Sequence, residues 1–345
     1  MSREPSTAVL PRGVFTVSLD FELAWGTRGR RKAGFLEPYY DGTRQAIDGL
    51  LCLCERYEVQ ATWAVVGALL LGTAQEDEKH PWLGNAEFDD VPPGNAVTHP
   101  RWYAEDVLEK IRSCAVQQEI ACHTLTHRFV DAGPAGRTAF ACELDQSITL
   151  FDQLNLPRPV TFIYPKAQMG HFDLLQKKGF KSFRGPEPGW FESLPGTIPS
   201  ALVRFADARL GWCPQVGSPK KSEDGLWVIP SSQFYSPKMS VGRYVSINAR
   251  VAKARKGLDA AARGQMVYHL WTHPFNLGCD IQELLSGLER IFRHAAKLRD
   301  QGRLEVLSMD NLTDRCEGSD STVSGCSNET HLIGTGENHR PEKVV

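Results

Sequence analysis

The chain has 345 residues, of which 41% are hydrophobic and 23% charged, with a formal net charge of −2. This composition suits one large α/β domain with a sizeable core, and the near-neutral charge gives no field that would draw nucleic acid or an anionic membrane surface. No apolar run reaches membrane-spanning length; the longest, Ala64–Gly72, falls far short.

Residues 1–12 are polar, contain proline and read as a disordered arm. They carry none of the basic, apolar and small-residue features of a signal peptide. The nine cysteines, an odd number scattered among predicted elements, read as reduced structural thiols. Together these features suggest a cytoplasmic protein.

From residue 13, strand-like and helix-like segments alternate. Val14–Leu19 is a short apolar, β-branched run, and Thr43–Tyr57 has helical periodicity. Gln60–Val66 reads as the second strand, Trp102–Cys114 as a helix and Glu119–Cys122 as a third strand. Arg137–Leu154 is a helix, Val160–Tyr164 a strand, and Phe172–Lys178 a helix stopped by Gly179, with Lys181–Arg184 as the next strand. Ile247–Arg263 is helical, Met266–Trp271 a strand, Ile281–Gln301 a long helix and Glu305–Leu307 a last strand. Such alternation implies parallel βα units and, repeated along residues 13–313, a (β/α) barrel of roughly seven units. The loops 71–100 and 185–237 interrupt the rhythm, and their aromatic content suggests lids or binding loops. Residues 314–345 are rich in Ser, Gly, Glu, Asn and Thr and read as a disordered tail.

Ionisable residues collect at the C-terminal ends of the predicted strands, where the active sites of (β/α) barrels lie. Asp20 and Glu22 follow the first strand, His123 and His127 the third, Lys166 and Gln168 the fourth, and His273 the strand Met266–Trp271. His123 and His127 are four apart. At a helix start or in a tight turn, that spacing lets both imidazoles share one ion, although an isolated pair of this kind is about as often two capping or core histidines. The zincin motif H-E-x-x-H is excluded because Thr124 stands where the Glu base is required. Strand alternation leaves Asp20 and Glu22 on one side of Phe21. Two such carboxylates can divide into ion ligand and base, or can simply cap and pair at a strand end. Pro274 stops its strand and leaves His273 at the mouth, able to protonate a leaving amine. His269 reads as a buried, hydrogen-bonded core residue.

These motifs resemble those of the polysaccharide deacetylase (NodB-homology) family, over roughly Val14 to Leu307. Ser18-Leu-Asp20-Phe-Glu22 is similar to the first family motif, in a D-x-E form. His123-Thr-Leu-Thr-His127 is similar to the second, H-[ST]-x-x-H. Phe162-Ile-Tyr-Pro165-Lys166 stands where R-x-P-[YF] is expected, without its arginine at Ile163, and Leu270-Trp-Thr-His273 resembles the last motif, L-x-H. The resemblance implies a distorted (β/α) barrel that removes acetyl groups from N-acetylated sugars with a divalent ion, zinc first, with cobalt, nickel or iron as alternatives. It implies Glu22, His123 and His127 as ligands, Asp20 as base and His273 as acid, with Lys166 or Arg184 supplying the missing cation beside Asp20. Trp25, Trp190 and Trp212 are candidate sugar-stacking surfaces. The expected substrate is a small or carrier-linked N-acetylated sugar. Two alternatives stay open: a deformylase or ring-amide hydrolase on the same fold, and a catalytically silent carbohydrate-binding barrel.

Overall fold

The strand β1 (Gly13–Phe21) is buried along all nine residues. It has neighbours on both edges, β2 (Ala61–Val65) and β10 (Leu304–Val306) along one and β9 (Val267–Thr272) along the other, all parallel to it. The architecture is that of a computed structural model, which describes residues 6–29, 37–187 and 215–326. Alternation along β1 divides its side chains. Phe15, Val17, Leu19 and Phe21 pack outward among helical residues such as Leu50, Leu258 and Ile291. Val14 packs inward with Ala64, Ala121, Ile163 and Val267. A strand covered on both faces reads as a near-continuous apolar run, which is why β1 is plain in the sequence.

The sheet continues from β2 through β3 (Glu119–Cys122), β4 (Thr161–Phe162) and β5 (Ser182–Arg184) to β7 (Trp227–Ile229), and beyond β9 to β8 (Gln233–Phe234). Among the described strands, only β6 (Lys220–Lys221) is antiparallel to its neighbour, β7. The result is an open (β/α) half-barrel, the distorted barrel expected. Around it lie α1 (Glu37–Asp41), α2 (Thr43–Tyr57), α3 (Glu105–Arg112), α4 (Pro134–Gln153), α5 (Phe172–Lys177), α6 (Ile247–Gly264), α7 (Pro274–Leu277) and α8 (Ile281–Asp300). Two of these helices have side-chain N-caps: Ser246 accepts from the Ala249 N–H for α6, and Asp280 from the Glu283 N–H for α8.

Three expectations change. Part of the stretch 185–237 is barrel wall, because it contributes β6, β7 and β8. The loop 71–100 is packed, with Leu83, Phe88 and Val91 buried, and it lines no part of the cavity described below. Parts of the stretches read as arm and tail pack against the barrel. Helix α9 (Met309–Cys326) runs well into the tail. Its Met309, Leu312 and Cys316 join Ala8 and Leu10 of the arm in the cluster that fills the barrel interior. An open barrel floor would leave that interior wet, and this short apolar stripe, diluted by polar neighbours, covers it. Among the described residues, no helix is long and apolar enough to cross a membrane.

Candidate metal centre and active site

Beyond β3 the chain crosses the barrel mouth from His123 to His127 as a loop with no helix. Thr124 and His127 have φ values of 63° and 59°, a left-handed conformation that costs a non-glycine residue of order 1–3 kcal/mol and persists only where the surroundings impose it. Here the His123 N–H donates to the Val65 carbonyl at 3.1 Å. The Thr124 and Leu125 carbonyls accept from Gly67 and Ala68 N–H at 3.0 and 2.7 Å. From α4, Glu143 accepts both the Thr126 N–H and the Thr126 hydroxyl.

The loop brings the two imidazole centroids to 5.0 Å. His123 Nδ1 lies 2.7 Å from the Ile163 carbonyl, which can only accept, so Nδ1 carries the proton and Nε2 presents a bare lone pair. Burial holds the His127 pKa down, which favours the neutral form of that ring. Both Nε2 atoms are buried without a hydrogen-bond partner. Glu22 Oε2 lies 2.8 Å from His127 Nε2 and 3.5 Å from His123 Nε2. All three atoms fall within 4.8 Å of one another. Ligand atoms at about 2.0–2.2 Å from a tetrahedral ion stand roughly 3.3 Å apart, so this cluster fits a divalent ion. Burial opposes ionisation of Glu22, but the facing His273 helps hold its carboxyl well below the usual range. Gly26 makes room for it: a Cβ there would lie 2.0 Å from the Glu22 carboxylate.

Two residues back on β1, Asp20 meets Arg184 at the end of β5. Arg184 Nη1 and Nη2 donate to Asp20 Oδ1 and Oδ2 at 2.6 and 2.7 Å, a bidentate charge-assisted pair. Burial alone would raise the Asp20 pKa; Arg184 overrides it and holds the carboxyl below the usual range. Of the two cations the sequence offers for Asp20, Arg184 stands at this position. Lys166 lies on the cavity wall with Nζ 3.7 Å from the centre of the Phe129 ring.

His273 faces both carboxylates, with Nε2 3.5 Å from Glu22 Oε1 and 3.9 Å from Asp20 Oδ2. The Asn276 amide donates to its Nδ1 at 3.1 Å, which puts the ring proton on Nε2, toward the site. These groups open onto a cavity of about 500 Å³ whose apolar wall includes Phe234, Trp271 and Phe275. Trp25 has no part in that wall. It is 2% exposed, edge-on to Trp102 and Phe88, with its indole N–H on the Trp102 carbonyl; its burial is that of a core residue. Trp190 and Trp212 lie outside the described residues. Sequence reasoning did not pick out Glu143, Asn276 or Phe234, none of which falls in a motif.

No protein-family model matches the chain, and no curated protein matches it in sequence. Solved structures do match it in fold. A chain from Mycobacterium smegmatis, assigned as a polysaccharide deacetylase, superposes with a TM-score of 0.58 at 15% identity, covering 99% of both chains. One from Pseudomonas aeruginosa, assigned the same way, gives 0.52 at 14% identity over 88% of this chain and 89% of that one. An allantoinase gives 0.56 at 12% identity over 92% and 95%. At these identities the likeness is one of fold: the chain has the architecture of the polysaccharide deacetylases.

Proposed function

We propose that the protein is a metal-dependent hydrolase of non-peptide amide bonds, acting on a small or carrier-linked N-acetylated sugar. One observation carries the reading: two buried imidazole Nε2 atoms without partners converge with the Glu22 carboxylate, beside the Arg184-held Asp20 and opposite His273. Glu22, His123 and His127 are the ligand set. A divalent ion there would polarise the acyl carbonyl and make water a stronger nucleophile near neutral pH.

The remaining chemistry belongs to side chains. Asp20, kept ionised by Arg184, accepts the proton of the attacking water. The Nε2–H of His273 points at the same space and passes its proton to the leaving nitrogen, so base and acid face each other across the scissile bond. The Phe234, Trp271 and Phe275 wall offers apolar surface to a sugar. A cavity of about 500 Å³ suits one or two sugar units. The carrier or remaining sugar would extend beyond it.

The test is a hydrolysis screen of N-acetyl and N-formyl amino sugars, free and nucleotide-linked, with cyclic amides included and the metal varied. Release of acetate that requires a stoichiometric divalent ion is the expected result. Selective turnover of a cyclic amide would favour the ring-amide reading that the allantoinase fold also permits. Purified protein that binds no divalent ion would remove the mechanism.

A further inference from the structure

Between the site and the apolar cluster that fills the rest of the barrel interior, one layer is polar where such barrels are ordinarily filled with branched apolar side chains. Ser18 from β1, Arg184 from β5 and His269 from β9 meet there, at 0, 8 and 0% exposure. Ser18 and His269 do not line the cavity, and the mechanism above gives them no task.

We propose that Ser18 and His269 are positioning residues, a relay that fixes the Arg184 guanidinium on Asp20; the inference rests on Asp20 acting as the base. The donors can be ordered in only one direction. His269 Nδ1 lies 3.2 Å from the Pro230 carbonyl, which only accepts, so Nδ1 carries the ring proton. His269 Nε2 is then a bare acceptor 2.8 Å from Ser18 Oγ, and the Ser18 hydroxyl proton must point at it. The Ser18 lone pairs are left facing Arg184 Nη1 at 3.0 Å, a group that only donates. Nη1 thus has an acceptor for each of its hydrogens, Ser18 Oγ and Asp20 Oδ1.

The imidazole tautomer sets the hydroxyl rotor, and the rotor sets the guanidinium. A doubly protonated His269 would reverse the order and turn the Ser18 hydroxyl proton toward Arg184. Burial and the Arg184 charge push the His269 pKa down to about 3, which keeps the ring neutral. Trp271 closes the remaining side, with Arg184 Cζ 4.4 Å from its ring centre. Because Ser18 and Asp20 are alternate residues on one face of β1, a single strand carries both the anchor and the base.

The test compares the full-length, metal-loaded protein with Ser18→Ala, His269→Phe, His269→Gln and the Ser18→Ala/His269→Phe double variant. The relay predicts a kcat lower by about 10–100-fold in Ser18→Ala and His269→Phe, with KM and bound metal unchanged. It predicts a double variant no worse than either single one, and partial recovery in His269→Gln, which keeps an acceptor for Ser18. Folded single variants with parental kcat, or losses that multiply in the double variant, would overturn it. Should His269→Phe fail to fold, Ser18→Ala, which removes one oxygen atom, decides. A second readout needs no substrate. The Arg184 guanidinium N–H signals in nitrogen-15 NMR should exchange slowly with water in the parent and faster in Ser18→Ala; equal exchange would sink the relay. If no amide is turned over, the functional proposal fails and the Arg184 signals still decide this one.

Discussion

Glu143 grips Thr126 at two points, accepting its backbone N–H at 2.8 Å and its hydroxyl at 2.6 Å, and Thr126 immediately precedes the ligand His127. The clasp opposes the backbone strain at Thr124 and His127. Glu143→Ala should therefore weaken metal binding by about 10–100-fold while the far-ultraviolet circular dichroism stays that of the parent. Competition against a chelator measures this. An affinity equal to the parent's would show that the loop holds its shape without Glu143.

His123→Ala and Asp20→Asn should separate binding from turnover. The first removes a ligand, so the ion and the activity should both be lost in a folded protein. The second keeps the ligand set and should retain the ion, with turnover reduced by about 100-fold or more. Metal analysis beside a kcat measurement distinguishes them. Near-parental turnover in Asp20→Asn would remove Asp20 from the role of base.

Two tryptophans should behave oppositely. Trp271 lines the cavity, so Trp271→Phe should raise KM with little loss of bound metal. Trp25 is enclosed by Trp102 and Phe88, so Trp25→Ala should cost about 3–5 kcal/mol of stability, read as a lower denaturation midpoint. A Trp25→Ala protein of parental stability with a raised KM would return Trp25 to the substrate.

Glu119 gives stability a pH dependence. Burial first, and the neighbouring Asp310 second, raise its pKa to about 8. The folded state thus holds this proton more tightly than the unfolded chain. Its contribution is complete below the ordinary carboxylate range and is lost as pH rises through the folded value. The melting temperature should fall between about pH 5 and pH 9. Glu119→Gln should flatten that fall and be the more stable protein at the alkaline end, by about 1–3 kcal/mol. A parental slope in Glu119→Gln would assign the fall to other groups.

The parts of this molecule legible in the sequence are those with strong local periodicity. β1, β9, α2, α6 and α8 fall within a few residues of where apolar spacing puts them, because each buries a long stripe or both faces. β6, β7 and β8 have two or three residues each, too few for alternation to register, and barrel packing alone makes them strands. The residues now grouped at the site could be named from their places at strand ends. Whether Lys166 or Arg184 meets Asp20 could not be read, since Arg184 arrives from a strand 164 positions away. Glu143 was invisible for a different reason: on a helix facing a loop, a clasping glutamate looks like any solvated one. In α9, the three apolar residues at helical spacing straddle the expected start of the tail, with Met309 and Leu312 before it and Cys316 within its polar average.

Helix α9 bears on when the molecule can be assembled. Its first backbone N–H groups donate to Thr62 on β2 and Glu119 on β3, and Thr313 donates to Ser182 on β5. Strands β2, β3 and β5 therefore wait for a helix that follows all of them in the sequence. On the ribosome the barrel can curl but cannot be stoppered until α9 has emerged. Until then the nascent barrel keeps an open, partly wetted interior, a state in which chaperones have the most to bind.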